Sequence, residues 1–128
     1  MYASGSKISG GHIIVYRGTV PNPDYEAGDI TIDGAYHELD LSSIIPAGSF
    51  AALITVRVHC NAVGDYIMLI HPDDSSNERS VFRTEVNVLD KYHSEFGIVF
   101  CNTSRIIKYK VAAGVTVLQI HISGWIKA

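Results

Sequence analysis

Residues Val115–Lys127 read V-T-V-L-Q-I-H-I-S-G-W-I-K, and their alternation decides the fold class. Leu118, Ile120 and Ile122 fall on one side of an extended chain, and Gln119, His121 and Ser123 on the other. That is the period of a strand with one buried and one polar face. Gly124 is expected to break the strand, leaving Trp125, the only tryptophan, just beyond it. Chain ends usually fray. One that keeps an apolar strand and its largest side chain for last is expected to be part of the core.

The same alternation recurs upstream. Ala51–Asn61 is the most regular stretch, with Ala52, Ile54, Val56, Val58 and Cys60 facing in and Thr55, Arg57, His59 and Asn61 facing out. His12–Val20, Ala35–Ser43, Tyr66–Ile70, Ser80–Leu89 and Arg105–Val111 read as further strands. Phe96–Cys101 (F-G-I-V-F-C) is nearly continuous in apolar residues, as expected of a more deeply buried strand. Pro46-Ala47-Gly48, Gly64-Asp65, Asn102–Ser104 and Ala112–Gly114 supply turns. The loop Pro21–Gly34 contains a short I-T-I that is expected to pair as a minor edge strand. About eight short strands without a helical period predict an all-β, two-sheet antiparallel β-sandwich, with jelly roll the leading topology.

A chain of 128 residues, 47% of them hydrophobic, suits one domain with its own core. Residues 1–11 (M-Y-A-S-G-S-K-I-S-G-G) are expected to be a flexible N-terminal arm, and 12–128 the single β-sandwich domain. A net charge of −3, with no run of Lys or Arg, argues against nucleic acid as a partner. The beginning lacks a hydrophobic signal core and no apolar run approaches a membrane span, so a soluble protein without membrane insertion is expected. Cys60 and Cys101 form no C-x-x-C motif, and without a secretory signal buried free thiols are expected over a disulfide.

The candidate chemistry is sparse. The six histidines contain neither H-x-H nor H-E-x-x-H. His59 and His121 lie on the polar faces of two strong strands, where they read as interface histidines, with a metal or pH-sensitive site as the sharper alternative. Asp73, Asp74, Asn77 and Glu78 share one loop and offer oxygen ligands, but not in the order of a calcium loop. Asp24, Tyr25 and Glu26 stand in the long acidic loop, and Tyr25 and Tyr92 are the tyrosines expected to be exposed. Asp24, Tyr25, Glu26, Asp73, Asp74 and Asn77 are therefore the candidate binding-loop residues, and His59, His121 and Trp125 the candidate interface residues. The serines lack a G-x-S-x-G setting. No catalytic residue, metal or cofactor is expected.

Y-H-E-L-D-L-S-S-I-I-P-A-G (Tyr36–Gly48), A-L-I-T-V-R-V after it, F-R-T-E-V (Phe82–Val86), C-N-T-S-R-I-I-K-Y (Cys101–Tyr109) and the terminal G-W-I-K resemble, in order, segments of small β-sandwich proteins of bacteriophages and related viruses. These are tail-fibre, head-fibre or decoration modules. L-D-L-S-S-I-I-P-A-G is the most specific piece. The chain departs from the pattern at H-P-D-D-S-S-N-E, and residues 1–34 are not covered. The resemblance implies a non-enzymatic virion appendage or decoration protein. It would form a homo-oligomer, a trimer by the symmetry common in viral fibres, and contact other virion proteins and, as a further candidate, a host surface glycan. A carbohydrate-binding module or lectin on the same fold is the alternative.

Overall fold

The computed structural model describes residues 5–7, 11–18, 21–60, 63–74, 82–85 and 92–128, with backbone alone for 5–7, 60 and 82–85. Its strands are β1 (Gly5–Lys7), β2 (Ile13–Tyr16), β3 (Tyr25–Glu26), β4 (Tyr36–Asp40), β5 (Ser49–Cys60), β6 (Tyr66–Ile70), β7 (Phe82–Glu85), β8 (His93–Phe100), β9 (Ile106–Val111) and β10 (Val115–Lys127). Among the described residues the only helical element is a 3-10 turn at Ala27–Asp29 and, at Gly11, a single residue of the same type. Among the described residues no helix is long and apolar enough to cross a membrane.

Two antiparallel sheets result. The first, sheet A, runs β1-β2-β10-β5-β8, with β3 also pairing β10; the second, sheet B, runs β4-β9-β6-β7. In chain order β2 pairs with β10, β4 with β9, β5 with β8 and β6 with β7. This is a nested hairpin whose rungs alternate between the sheets. Buried side chains from both sheets form one cluster, among them Ile54, Val56, Ile120 and Ile122 from sheet A and Leu39, Ile67, Leu69 and Ile107 from sheet B. The molecule is a β-sandwich, as the alternation predicts.

β10 is the middle of sheet A, and its register explains the tryptophan. Strict alternation from Leu118, Ile120 and Ile122 would send Trp125 outward. The ladder to β5 instead passes from Ile122↔Ile54 to Gly124↔Leu53, so Ser123 is an extra residue in β10. A bulge of this kind reverses which side chains face in. Trp125 therefore enters the core at 1% exposure, while Gly124 stays in the strand, paired with both Leu53 and Tyr16. A second irregularity between Val115 and Val117 lets Val115 and Leu118, three positions apart, both be buried. The expectation that Gly124 ends the strand is corrected: it is a place where the β2 backbone closely approaches β10. A Cβ there would lie 2.2 Å from the Val15 carbonyl oxygen, so only glycine fits.

Between β3 and β2 the edge of β10 is served by side chains. Arg17 Nη1 donates to both Asp24 carboxylate oxygens at 2.8 and 2.7 Å and to the Ile122 carbonyl at 3.1 Å. Asp24 Oδ2 accepts the Ile122 N–H at 2.7 Å. One ion pair thus satisfies a backbone N–H and C=O that no neighbouring strand reaches.

Three further expectations change. Ile30–Ile32 is not a strand; Ile30 and Ile32 pack against the core from a loop, and the minor strand is Tyr25–Glu26. Within residues 1–11, Gly5–Lys7 pairs antiparallel with Ile13–Val15. The apolar run Phe96–Cys101 is not deeply buried: of its β8 residues only Val99 enters the core, and Phe96, Ile98 and Phe100 are exposed.

Candidate functional site

The outer faces of the two sheets differ in kind. On sheet B, Tyr36 and Glu38 of β4 stand opposite Lys110 and Lys108 of β9. The two ammonium groups lie 5.1 and 5.5 Å from the Tyr36 ring. The β4–β9 side of this face is charged, as an antiparallel sheet open to water allows, whereas Met68 and Ile70 of β6, opposite Lys110 and Lys108 on the same face, are buried.

Sheet A is graded along its strands. The register aligns Phe100, Ala51, Ile126 and Ile14 in one cross-strand row and Ile98, Leu53, Gly124 and Tyr16 in the next. Phe96, Thr55 and His121 form the third row, and Ser94, Arg57, Gln119 and Glu26 the fourth. The first two rows carry no ionisable side chain except the Tyr16 phenol. Phe96, Ile98, Phe100 and Tyr16 are 57%, 47%, 42% and 52% exposed. An aromatic ring offers about 150–250 Å², so Phe96, Ile98 and Phe100 together show water on the order of 300 Å² of apolar surface, near the lower end of the size at which a patch marks a site; Tyr16 lies three strands away, with the buried Ala51, Gly124 and Ile126 in the rows between. Phe50 extends the aromatic ridge, its ring parallel to that of Phe100 at 6.4 Å.

At the polar end Arg57 lies over the Tyr92 ring at 4.0 Å, and His59 lies 5.2 Å from the same ring. His59 Nδ1 is 3.3 Å from the Thr116 hydroxyl, which donates to the His59 carbonyl. His59 and His121 share this face without meeting. His121 is opposite Thr55, four residues from His59 on β5 and so about 13 Å away along the strand.

Other candidate residues are spread across the fold. Asp24 is held in the ion pair with Arg17. The Tyr25 hydroxyl donates to the Asp40 carbonyl at 3.2 Å. Burial first, then the carboxylates of Asp24 and Asp40, push that hydroxyl up, so it remains a neutral donor. Glu26 and Asp29 cap the 3-10 turn reciprocally, with the Glu26 N–H donating to Asp29 Oδ2 at 2.8 Å. The Asp73 N–H donates to His71 Nδ1 at 3.0 Å, and the Asp74 N–H to the His71 carbonyl at 3.0 Å, so both acids belong to one turn. Asn77 and Glu78 lie outside the described residues. No group of three or more His, Cys, Asp or Glu side chains converges among the described residues. Of the two roles expected for Trp125, core and inter-subunit anchor, the bulge places it in the core.

Cys101 is free and buried, and burial pushes its thiol up. It lines a cavity of about 370 Å³ with Ser49, Phe50 and Asn102; the lining residues have no imidazole or carboxylate side chain. Arg105, at φ 63°, closes the loop between β8 and β9 and donates to the Ser42 and Ile45 carbonyls at 3.3 and 2.9 Å, tying that loop to the turn after β4.

Two surface carboxylates carry the pH dependence. The Ala35 N–H first, then His37, holds Asp33 below the usual aspartate range, and the Ser42 hydroxyl and N–H do the same for Asp40. A folded-state pKa below the unfolded value of about 3.9 gives stability that is full above that value and lost as pH falls through the lower folded one. Carboxyl-detected NMR titration is expected to find both groups titrating below free aspartate, and Ser42→Ala to move Asp40 back up.

No family model matches the chain and no curated protein matches it. The apolar end of sheet A is the feature that sequence reading missed. Its signal was Phe96–Cys101: an apolar run that long on one strand means either burial on both faces or an outer face meant to be covered.

Proposed function

We propose that this chain is a non-enzymatic structural module that works by assembly, a virion appendage or decoration protein, with the outer face of sheet A as its assembly surface. The exposed ridge Phe96–Ile98–Phe100 on β8 carries the proposal. A strand with nothing to cover would have a polar outer face there, as β4 and β9 do with Glu38, Lys108 and Lys110. The viral attribution is supported by the segments from Tyr36 to Lys127 that resemble appendage modules, and the nested rungs support the jelly-roll reading. The resemblance favours a trimer, with other virion proteins as further partners and the virion as its location. Against the lectin reading, Tyr25 is tied to Asp40 and one face of Tyr92 is under Arg57.

Light scattering at micromolar concentration is expected to return the mass of a closed oligomer. Phe96→Asp with Phe100→Asp is expected to return a monomer with little change in melting temperature, because both side chains lie outside the core. A wild-type protein that stays strictly monomeric overturns the proposal.

A further inference from the structure

We infer that the cavity at one end of the sandwich, between the start of β5, the turn after β8 and the residue that follows β10, is a binding site for a small neutral molecule with an apolar body and one carbonyl oxygen. The Ser49 hydroxyl is the group that receives the carbonyl. This goes beyond the assembly reading and does not depend on it.

Three observations carry it. First, the register turns two polar side chains inward at this end. Trp125 faces the core, Lys127 follows it by two residues, and Ser49 stands opposite Lys127, so Ser49 shares the inward face. Cys101 follows the core residue Val99 by two in the same way. Phe50 is the extra residue between the pairs Ala51↔Ile126 and Ser49↔Lys127, a bulge of the kind that re-aims side chains beside functional sites. Without it Ser49 would share the outward face of Ala51. Second, Ser49 is 4% exposed, and its buried hydroxyl has no hydrogen-bond partner among the described residues. The neighbouring thiol does have one, since Cys101 Sγ donates to the Ser49 carbonyl at 3.7 Å. A buried hydroxyl left unpaired weakens a fold, so its presence points to a partner from outside the chain. Third, the space has the size of a ligand. It is about 370 Å³, within the roughly 300–1,000 Å³ of small-molecule sites.

The lining selects the class of ligand. None of the lining residues has a charged side chain, so an ion would enter without a counter-charge. The Phe50 ring is fixed edge-on to His12 at 4.8 Å and parallel to Phe100 at 6.4 Å. With the Cys101 thiol, which burial keeps neutral, it suits an apolar body. Asn102 Oδ1 accepts the N–H groups of Ser104 at 3.0 Å and Ile106 at 2.9 Å, so what Asn102 has left for a ligand is its NH2 group. An amide NH2 and a hydroxyl both offer hydrogens, and one carbonyl oxygen with two lone pairs accepts from both. A hydrocarbon in the same space would leave Ser49 as unpaired as before.

Acetophenone, cumene and benzoate share one size and shape, and differ in carrying a carbonyl, no polar atom and a charge. NMR titration of the isotope-labelled chain with acetophenone is expected to give saturable shifts at Ser49, Phe50, Cys101 and Asn102. Cumene is expected to bind about ten-fold more weakly, the worth of one good hydrogen bond, and benzoate not at all. Ser49→Ala is expected to melt at or above the wild-type temperature, because it removes an unpaired hydroxyl, and to lose most of the preference for acetophenone over cumene. A change that keeps or raises stability while weakening binding marks a group held for a ligand rather than for the fold. Cumene or benzoate bound as well as acetophenone, or no saturable shift at these residues, overturns the site. So does a lower melting temperature of Ser49→Ala, which would show that the hydroxyl already serves the free chain, through water or otherwise. None of these outcomes depends on the oligomeric mass, so this site and the assembly surface fail separately.

Discussion

Trp125→Ala lowers the unfolding free energy by about 3–5 kcal/mol, the range for emptying a large aromatic from a packed core. The side chain is 1% exposed, in one cluster with residues of both sheets. For a domain with a total of about 5–15 kcal/mol, such a loss leaves the fold barely stable. Urea denaturation followed by fluorescence of tyrosine, and by circular dichroism in parallel, measures it. A midpoint that shifts by less than the equivalent of about 1 kcal/mol would mean that Trp125 is not the centre of packing that the bulge makes it. Trp125→Phe, which keeps a ring in the site, is expected to lose less than half as much.

The second large effect belongs to the ion pair on β10. Asp24→Ala removes the partner of Arg17 and the acceptor of the Ile122 N–H together. Breaking a buried pair from one side costs about 3–5 kcal/mol. The Arg17 side chain is 25% exposed and can recover water, so the lower end, about 3 kcal/mol, is expected. The double variant Arg17→Leu/Asp24→Ala is expected to be no less stable than Asp24→Ala, because the charge left without a partner is gone. Strict additivity of two separate losses would show that the groups do not act as a unit. Asp24→Asn keeps an acceptor for Ile122 and is expected to fall between wild type and Asp24→Ala.

The fold class was legible because one face of most strands obeys a period of two. Ala52, Ile54, Val56 and Val58 are all buried, as their spacing says. What spacing alone does not reveal is where the period slips. Ser123-Gly124 looks like the end of a strand, since small residues weaken strands. Only the partner register shows that it is a bulge carrying the strand onward in the opposite phase. Asp24 likewise reads as one more acid in a solvated loop, because its work depends on Ile122, far along the chain.

The candidate site was misread for a different reason. An apolar strand buried on both faces by its own chain and one awaiting cover from another molecule have the same sequence pattern. The distinction lies in what lies over the second face, and only the topology, with β8 at the end of its sheet, supplies it. His59 and His121 were placed on the correct face by alternation. Their separation follows from the pairing of β10 with β5, which composition does not encode.

The order of the strands also bears on how the protein comes to exist in a cell. β10 is last in the chain yet lies between β2 and β5, which do not touch each other in the sheet. A nascent chain can form the inner rung β6–β7 early, from neighbouring segments. Its larger sheet has no middle until β10 has left the ribosome, and Ile13 waits for Lys127. Closure of long-range pairs of this kind is slow. During that wait the apolar rows of β5 and β8 are open on both sides, so crowded synthesis favours sticking between unfinished chains, and a chaperone that holds the unfinished chain would raise the yield more than one that speeds its collapse.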